Sequence, residues 1–256
     1  MAGAAWFDWD RTDPYDNDEL CDRMLALVDE WFFATRHPLA QRLLGGDLTL
    51  DELRFLALQE YWYFRCTIWW NAGKVLFAPS RAVQRQLIGP LLEEVGVDAE
   101  SHEELYLRYL RGLGVGEDEL APRLLLAATI GYVHEIYEIN RSGDLVANLA
   151  ANNVVVETMR PEQYTQLVKT LERYPEIPAD SLEFFREHID ADVGHGALGV
   201  ELLKELMVTV THQRIAFAAL LRSLAVRWQF YDAVDSYLRR GEGLFVPCWP
   251  TLPHIS

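Results

Sequence analysis

The stretch SLEFFREHIDADVGHG, residues 181–196, holds the side chains best suited to chemistry. At about 100° per residue, His188, Asp192 and His195 fall within roughly 60° of one another on a single helix face, and Asp190 points the opposite way. Two imidazoles and a carboxylate converging on one point suit a divalent transition metal, and in non-haem iron sites this set leaves positions open for oxygen or substrate. Seven His and 39 acids in 256 residues would produce such a triple by chance in roughly 3 chains out of 100. A lone helical His is more often a hydrogen-bonded core or surface residue. Gly194, Gly196 and Gly199 share the stretch, each destabilising a helix by about 1 kcal/mol relative to Ala. Close approach of a second helix would explain them; so would room for a small molecule above the metal face, or a locally distorted helix.

A metal on one helix needs ligands from others. No Glu stands three residues before any His, which disfavours a ferritin-like pair of Glu-x-x-His helices, and HExxH is absent, which removes the commonest zinc-protease pattern. Glu157 follows Val154, Val155 and Val156 in an apolar stretch, where a buried carboxylate needs a metal, a base or hydrogen-bond donors; a Glu facing water near a helix end is the alternative. His134 and Glu138, four apart, form either a ligand pair or a surface salt bridge, and His212 reads as a packing histidine. Tyr61, Trp62, Tyr63, Phe64, Trp69 and Trp70 make two adjacent stripes at a spacing of seven, suited to core packing or to walling a pocket for an apolar or aromatic substrate. Lys74, Arg65 and Arg160 are candidate carboxylate anchors or solvated charges.

The elements that must position these groups are helices, because apolar residues recur at three and four and strand signals are nearly absent. Helices are expected near 17–35, 49–76, 80–94, 102–112, 117–140, 143–159, 162–174, 181–207 and 209–240. Ser101 with Glu104 and Asp180 with Glu183 read as capping boxes, and Pro161 as the opening of a helix. The chain divides into an acidic N-terminal arm at 1–19, one all-α domain at 20–240 and a Pro-rich C-terminal tail at 241–256.

A formal net charge of −16, from 23 basic and 39 acidic residues, argues against nucleic-acid or anionic-membrane partners. Half the residues are hydrophobic and 12% aromatic, enough to build a packed core. Cys21, Cys66 and Cys248 show no CxxC spacing, which fits a reducing compartment. The opening MAGAAWFDWDRTD is acidic where a targeting peptide would be basic, and no apolar run approaches a membrane span, so a cytoplasmic location is expected.

Three segments, LLEEVGVDAESHEELYLRYLRGLG, NNVVVETMRPEQYTQLVKTLE and SLEFFREHIDADVGHG, resemble the haem-oxygenase-like diiron oxidases and oxygenases, relatives of thiaminase-II-type proteins and pyrroloquinoline-quinone synthase. The resemblance spans roughly residues 50–240. It implies a haem-oxygenase-like bundle binding two iron ions, or iron and manganese, through Glu94, His102, Glu157, His188, Asp192 and His195. Glu93 competes with Glu94 for its place, and Glu60 is the one nearby candidate for an extra carboxylate. A helix start should hold His102 neutral for ligation, because the positive end of the dipole opposes protonation. The resemblance further implies O2 activation, a small amino-acid, amine or fatty-acid-like substrate, N-oxygenation, desaturation or C–C cleavage in specialised metabolism, and a homodimer. Electrons would come from the substrate or an external reductant, since no dinucleotide-binding unit is assigned. The rival readings are a metal-free oxidase or a thiaminase-type hydrolase of the same fold, for which Cys66 is the mid-domain nucleophile candidate; a mononuclear iron or zinc hydrolase; and a non-enzymatic helical binding module.

Overall fold

The structure is a computed structural model that describes residues 4–97, 99–120 and 124–247. Cys248 and the rest of the Pro-rich tail after it lie outside the described residues. The chain runs through α1 (Asn17–Trp31), α2 (Phe33–Arg36), α3 (Pro38–Gly45), α4 (Leu50–Phe64), α5 (Thr67–Leu76), α6 (Arg81–Val95), α7 (His102–Gly112) and α8 (Ala127–Arg141). It continues through α9 (Leu145–Asn148), which passes into a π-helix at Leu149–Glu157, then α10 (Arg160–Leu171), α11 (Glu183–Leu206) and α12 (Val210–Arg240). The fold is a single all-α bundle, as the periodicity implied. None of the described helices is long and apolar enough to cross a membrane.

The elements depart from the expected ones where local signals compete with packing. The helix expected over 17–35 ends at Trp31, and a missed helix, α3, follows: Pro38 occupies its first turn, the His37 ring accepts from the Leu39 N–H, and Gly46 closes it with φ 80°. The long helix expected over 49–76 breaks at Arg65 and Cys66 without Gly or Pro. There the Thr67 hydroxyl shares its one hydrogen between the Phe64 carbonyl, at 2.7 Å, and Glu94, so a side-chain bond competes with the helical one. The expected helix start near 117 is instead a short 3-10 turn at Glu117–Glu119 and a strand, β1 (Leu124–Leu126), paired antiparallel with β2 (Phe245–Pro247). Ser101 forms the full capping box with Glu104. Asp180 does not cap α11, because it sits inside a 3-10 turn at Ala179–Leu182. Ahead of α1, Phe7 is buried and stacks on Phe217 of α12 at 4.3 Å between ring centroids.

The centre of the bundle is the contact of α11 with α10 and the π-helix, backed by α12. Two of the three glycines in α11 make this approach possible. A Cβ at Gly196 would stand 3.0 Å from the Thr158 backbone nitrogen, and one at Gly199 would stand 2.2 Å from the Asn153 Cβ. Gly194 has open space around it. The run Gly194-His-Gly-Ala-Leu-Gly199 also spells G-x-G-x-x-G, but it lies inside a long helix rather than between a strand and a helix, so packing and not pyrophosphate binding accounts for it. The π-helix is the matching irregularity: its wider turn, with the Thr158 N–H bonded to the Asn153 carbonyl at 3.1 Å, turns Asn153 and Glu157 toward α11.

Gly199→Ala is expected to destabilise the fold by about 2 kcal/mol or more through overpacking against Asn153, whereas Gly194→Ala should be neutral or stabilising by up to about 1 kcal/mol. Urea unfolding of both variants measures the contrast.

Candidate metal centre

Four elements converge on one buried cavity. From α6 comes Glu94, near a C-terminus closed by Gly96 at φ 72°. His102 is the first residue of α7, fixed by the Ser101 capping box. The last residue of the π-helix is Glu157, and α11 contributes His188, Asp192 and His195 from one face. All six line the same cavity, together with Thr67, Asn71 and Lys74 of α5.

Each donor has a specific environment. Glu94 pairs with His102, Oε2 to Nδ1 at 3.1 Å, and accepts from the Thr67 hydroxyl and, at 3.4 Å, from the Asn71 amide. Burial pushes the Glu94 carboxyl up, but its hydrogen bonds, His102 foremost, outweigh burial and leave it below the usual range. Burial likewise pulls His102 down, and Glu94 reverses this, so the imidazole is raised. The expectation of a neutral His102 is therefore corrected: a carboxylate at hydrogen-bond distance outweighs the partial charge of a helix end. His188 donates Nδ1–H to the Phe184 carbonyl at 2.7 Å, an assignment fixed by a partner that only accepts, and Nε2 keeps its lone pair. Burial holds His188 well below its ordinary pKa, which keeps it neutral.

Asp192 is buried and its Oδ2 has no hydrogen-bond partner. Burial pushes its carboxyl up to about 8, opposed by Arg160 and reinforced by Glu157. Such an orphaned oxygen is costly unless a cation or donor meets it. Glu157 is bonded to Lys74 Nζ at 3.4 Å and to the Asn153 amide, which also reaches the His195 carbonyl at 3.1 Å. His195 turns Nε2 to Glu93 at 2.9 Å, while Asp192 lies 3.9 Å from its Nδ1. Glu94 thus faces the cavity, and Glu93, half exposed, stands at its rim. Among the described residues, no three His, Cys, Asp or Glu groups are already gathered closely enough to hold an ion. Instead Glu94 is held by His102 and Thr67, Glu157 by Lys74 and Asn153, and His195 by Glu93.

The other candidates separate from this cavity. Glu60 lines a neighbouring aromatic cavity and accepts from the Tyr231 hydroxyl at 2.9 Å. His134 is exposed, and Glu138 pairs with Arg141 at 2.8 Å rather than with a metal partner. Cys66 lines neither cavity, and burial pushes its thiol up to about 12, the reverse of nucleophile activation. Of the aromatics, Tyr63, Phe64 and Trp70 reach the donor cavity while Trp69 faces outward, because the break at Cys66 puts the two halves of each stripe on different helices. Arg65 pairs with Glu103, and Lys74 with Glu157. Thr67, Asn71 and Asn153 are the supporting residues that sequence reasoning missed. The signal was present: Thr67, Asn71 and Lys74 recur at i, i+4 and i+7 as a polar stripe on an apolar helix, and Asn153 precedes Glu157 by one turn.

The described residues thus form an all-helical bundle with nitrogen and oxygen side chains lining a central cavity. The chain belongs to the iron-containing redox enzyme family, of haem-oxygenase-like fold, which it matches over residues 54–228. It is 23% identical to the 4-aminobenzoate synthase of Chlamydia pneumoniae over 172 residues, covering 67% of this chain and 76% of that protein. To the pyrroloquinoline-quinone synthase of Ruegeria pomeroyi it is 24% identical over 241 residues, covering 89% and 98%. In fold it is similar to a haem-oxygenase-like domain of unknown function from Shewanella denitrificans, with TM-score 0.71, 20% identity and coverage of 89% and 97%. A TenA homologue from Pseudomonas syringae superposes with TM-score 0.70 at 15% identity, covering 90% and 96%.

Glu60 gives this region a pH signature. Burial raises its carboxyl to about 7, with the Tyr231 hydrogen bond opposing. A folded-state pKa above the unfolded one contributes stability that is complete below about pH 4.5 and lost as pH rises through about 7. Glu60→Gln keeps the acceptor without the charge. Its stability relative to the unsubstituted chain should therefore rise by about 2 kcal/mol between pH 5 and pH 8, as read by denaturant titration at each pH.

Proposed function

We propose that this chain is a non-haem diiron oxidase or oxygenase that uses O2 to oxidise a small amino-acid, amine or fatty-acid-like substrate. The observation that carries the reading is the presence of Glu94, His102, Glu157, His188, Asp192 and His195 around one buried cavity, with an Asp192 oxygen left without a partner. The donor set fits iron: neutral imidazole and carboxylate in a closed pocket suit Fe(II), and manganese could replace one ion at the more oxygen-rich position. When bound, two iron ions would supply redox equivalents and open coordination positions for O2.

The chain's own residues then have definite tasks. The Phe184 carbonyl fixes the His188 tautomer and aims Nε2. Asn153 ties Glu157 to the α11 backbone, so the carboxylate and the histidine face keep their spacing. Thr67 and Asn71 orient Glu94. Lys74, buried against Glu157, balances its charge and would share that carboxylate with a bound ion. Tyr63, Phe64, Trp70 and Phe184 wall the cavity against bulk water. Relatives named as synthases of pyrroloquinoline quinone and 4-aminobenzoate support a biosynthetic role, with remaining electrons drawn from substrate or an external reductant. The buried, unactivated Cys66 gives the hydrolase reading no support.

Anaerobic loading with Fe(II) should give two iron ions per chain, and exposure to O2 with a panel of amines, amino acids and fatty acids should give a substrate-dependent optical transient. His188→Ala should lower the iron content to one ion or fewer with the circular dichroism unchanged. Near-zero iron in the unsubstituted chain, or full iron in His188→Ala, refutes the reading.

A further inference from the structure

A second cavity adjoins the donor cavity, and three residues, Tyr63, Phe64 and Arg160, line both. Its walls are aromatic, among them Phe33, Tyr132, Tyr164 and Phe230. The side chain at the junction is unusual. Arg160 is 8% exposed, and its guanidinium lies 5.2 Å from the ring centre of Phe64, 5.4 Å from that of Tyr164 and 6.0 Å from that of Tyr63. It has no hydrogen-bond or ion-pair partner among the described residues. A buried guanidinium has five donors in a rigid fork, and leaving them unmet is costly.

Behind it stands a second buried cation. Arg227 donates to the hydroxyls of Tyr132 and, at 3.2 Å, Tyr63, and to Ser223 Oγ at 3.1 Å. Its partners are all neutral. Because both tyrosine oxygens accept from Arg227, their own hydrogens remain free to be donated into the cavity. An anion at the junction would therefore meet the Arg160 fork with the Tyr63 hydroxyl as a further donor, and Tyr132 would stand deeper in the aromatic cavity. Glu60 is the one carboxylate lining the aromatic cavity, and its hydrogen bond goes to Tyr231.

The charge balance points the same way. Lys74, Arg160 and Arg227 share this region with Glu60, whose carboxyl burial raises, and with the donor carboxyls Glu94, Glu157 and Asp192. Divalent ions ligated by those carboxylates would take the negative charge away from the guanidinium groups, leaving a positive site in an otherwise strongly acidic protein.

We propose that Arg160 anchors the carboxylate of a small organic substrate whose apolar body lies against the walls of the aromatic cavity. The anchor itself is a property of this chain's side chains; that the anchored molecule is oxidised rests on the diiron reading. The carboxylate end sits at the junction, so the atoms beside it are those nearest the six donors. Arg is suited to this task over Lys, since its planar fork engages both carboxylate oxygens and stacks on the surrounding rings.

The test is calorimetric titration of iron-loaded (anaerobic) and metal-free protein with benzoate and with benzamide, its uncharged counterpart. Benzoate should bind at least about tenfold more tightly than benzamide. Arg160→Gln should abolish that preference, and Arg160→Lys should retain part of it. Equal binding of the two probes, or unchanged benzoate affinity in Arg160→Gln as direct ligation to metal would give, overturns the proposal. Should Arg160→Gln fail to fold, the comparison of probes on the unsubstituted chain decides alone. Benzoate preference without iron uptake would remove the diiron reading and leave the anchor standing; two irons per chain without benzoate preference would do the reverse.

Discussion

The close approach of α11 to the π-helix is the constraint on which the rest depends. Without a Cβ at Gly196 and Gly199, the backbone at Glu157 and Thr158 and the side chain of Asn153 come into direct contact with α11. That contact spends helix propensity on both sides: glycines in one element, a strained wider turn in the other. The return is geometric. Asn153 bridges the two elements through Glu157 and the His195 carbonyl, so a carboxylate from one helix is held against the histidine face of the other.

The cavity so enclosed is an electrostatic problem as much as a packing one. Three carboxyls, two cations and three imidazoles line one region from which water is largely excluded, and each group is tolerable only because of its neighbours. Glu94 and His102 pair, which lowers the carboxyl and raises the imidazole, His188 stays neutral against a backbone carbonyl, and Glu157 leans on Lys74. Asp192 has an orphaned oxygen, and Arg160 meets aromatic rings rather than a carboxylate. One is a carboxyl at the donor cavity that burial raises to about 8, and the other a cation at the junction with the aromatic cavity. A cation bound at the first and an anion bound at the second would relieve these deficits.

Several features could be read in the chain because their causes are local. The helix face carrying His188, Asp192 and His195 depends only on spacing, and the Ser101 box only on residues three apart. The burial of Glu157 after three valines has the same origin. Other features were misread where tertiary contacts overrode local preference. The aromatic run at 61–70 shows no breaker, yet it bends where Thr67 bonds back to Phe64 and forward to Glu94. Leu124–Leu126 lies in a stretch with a helical pattern but pairs as a strand with residues beyond α12, a partner more than a hundred positions away. The direction in which His102 shifts followed not from its helix end but from Glu94 across the loop.

The sequence by itself determined an acidic, aromatic-rich all-helical chain with a ligand-bearing face on α11, because helix period and residue chemistry are set within one or two turns. Only the tertiary structure decided which of Glu93 and Glu94 turns inward, that Glu60 serves a separate cavity, and that Arg160 is buried at the junction without a partner. Those outcomes depend on which helices pack together and on what each charge meets once water is removed, and neither is encoded at the spacing of a single helix.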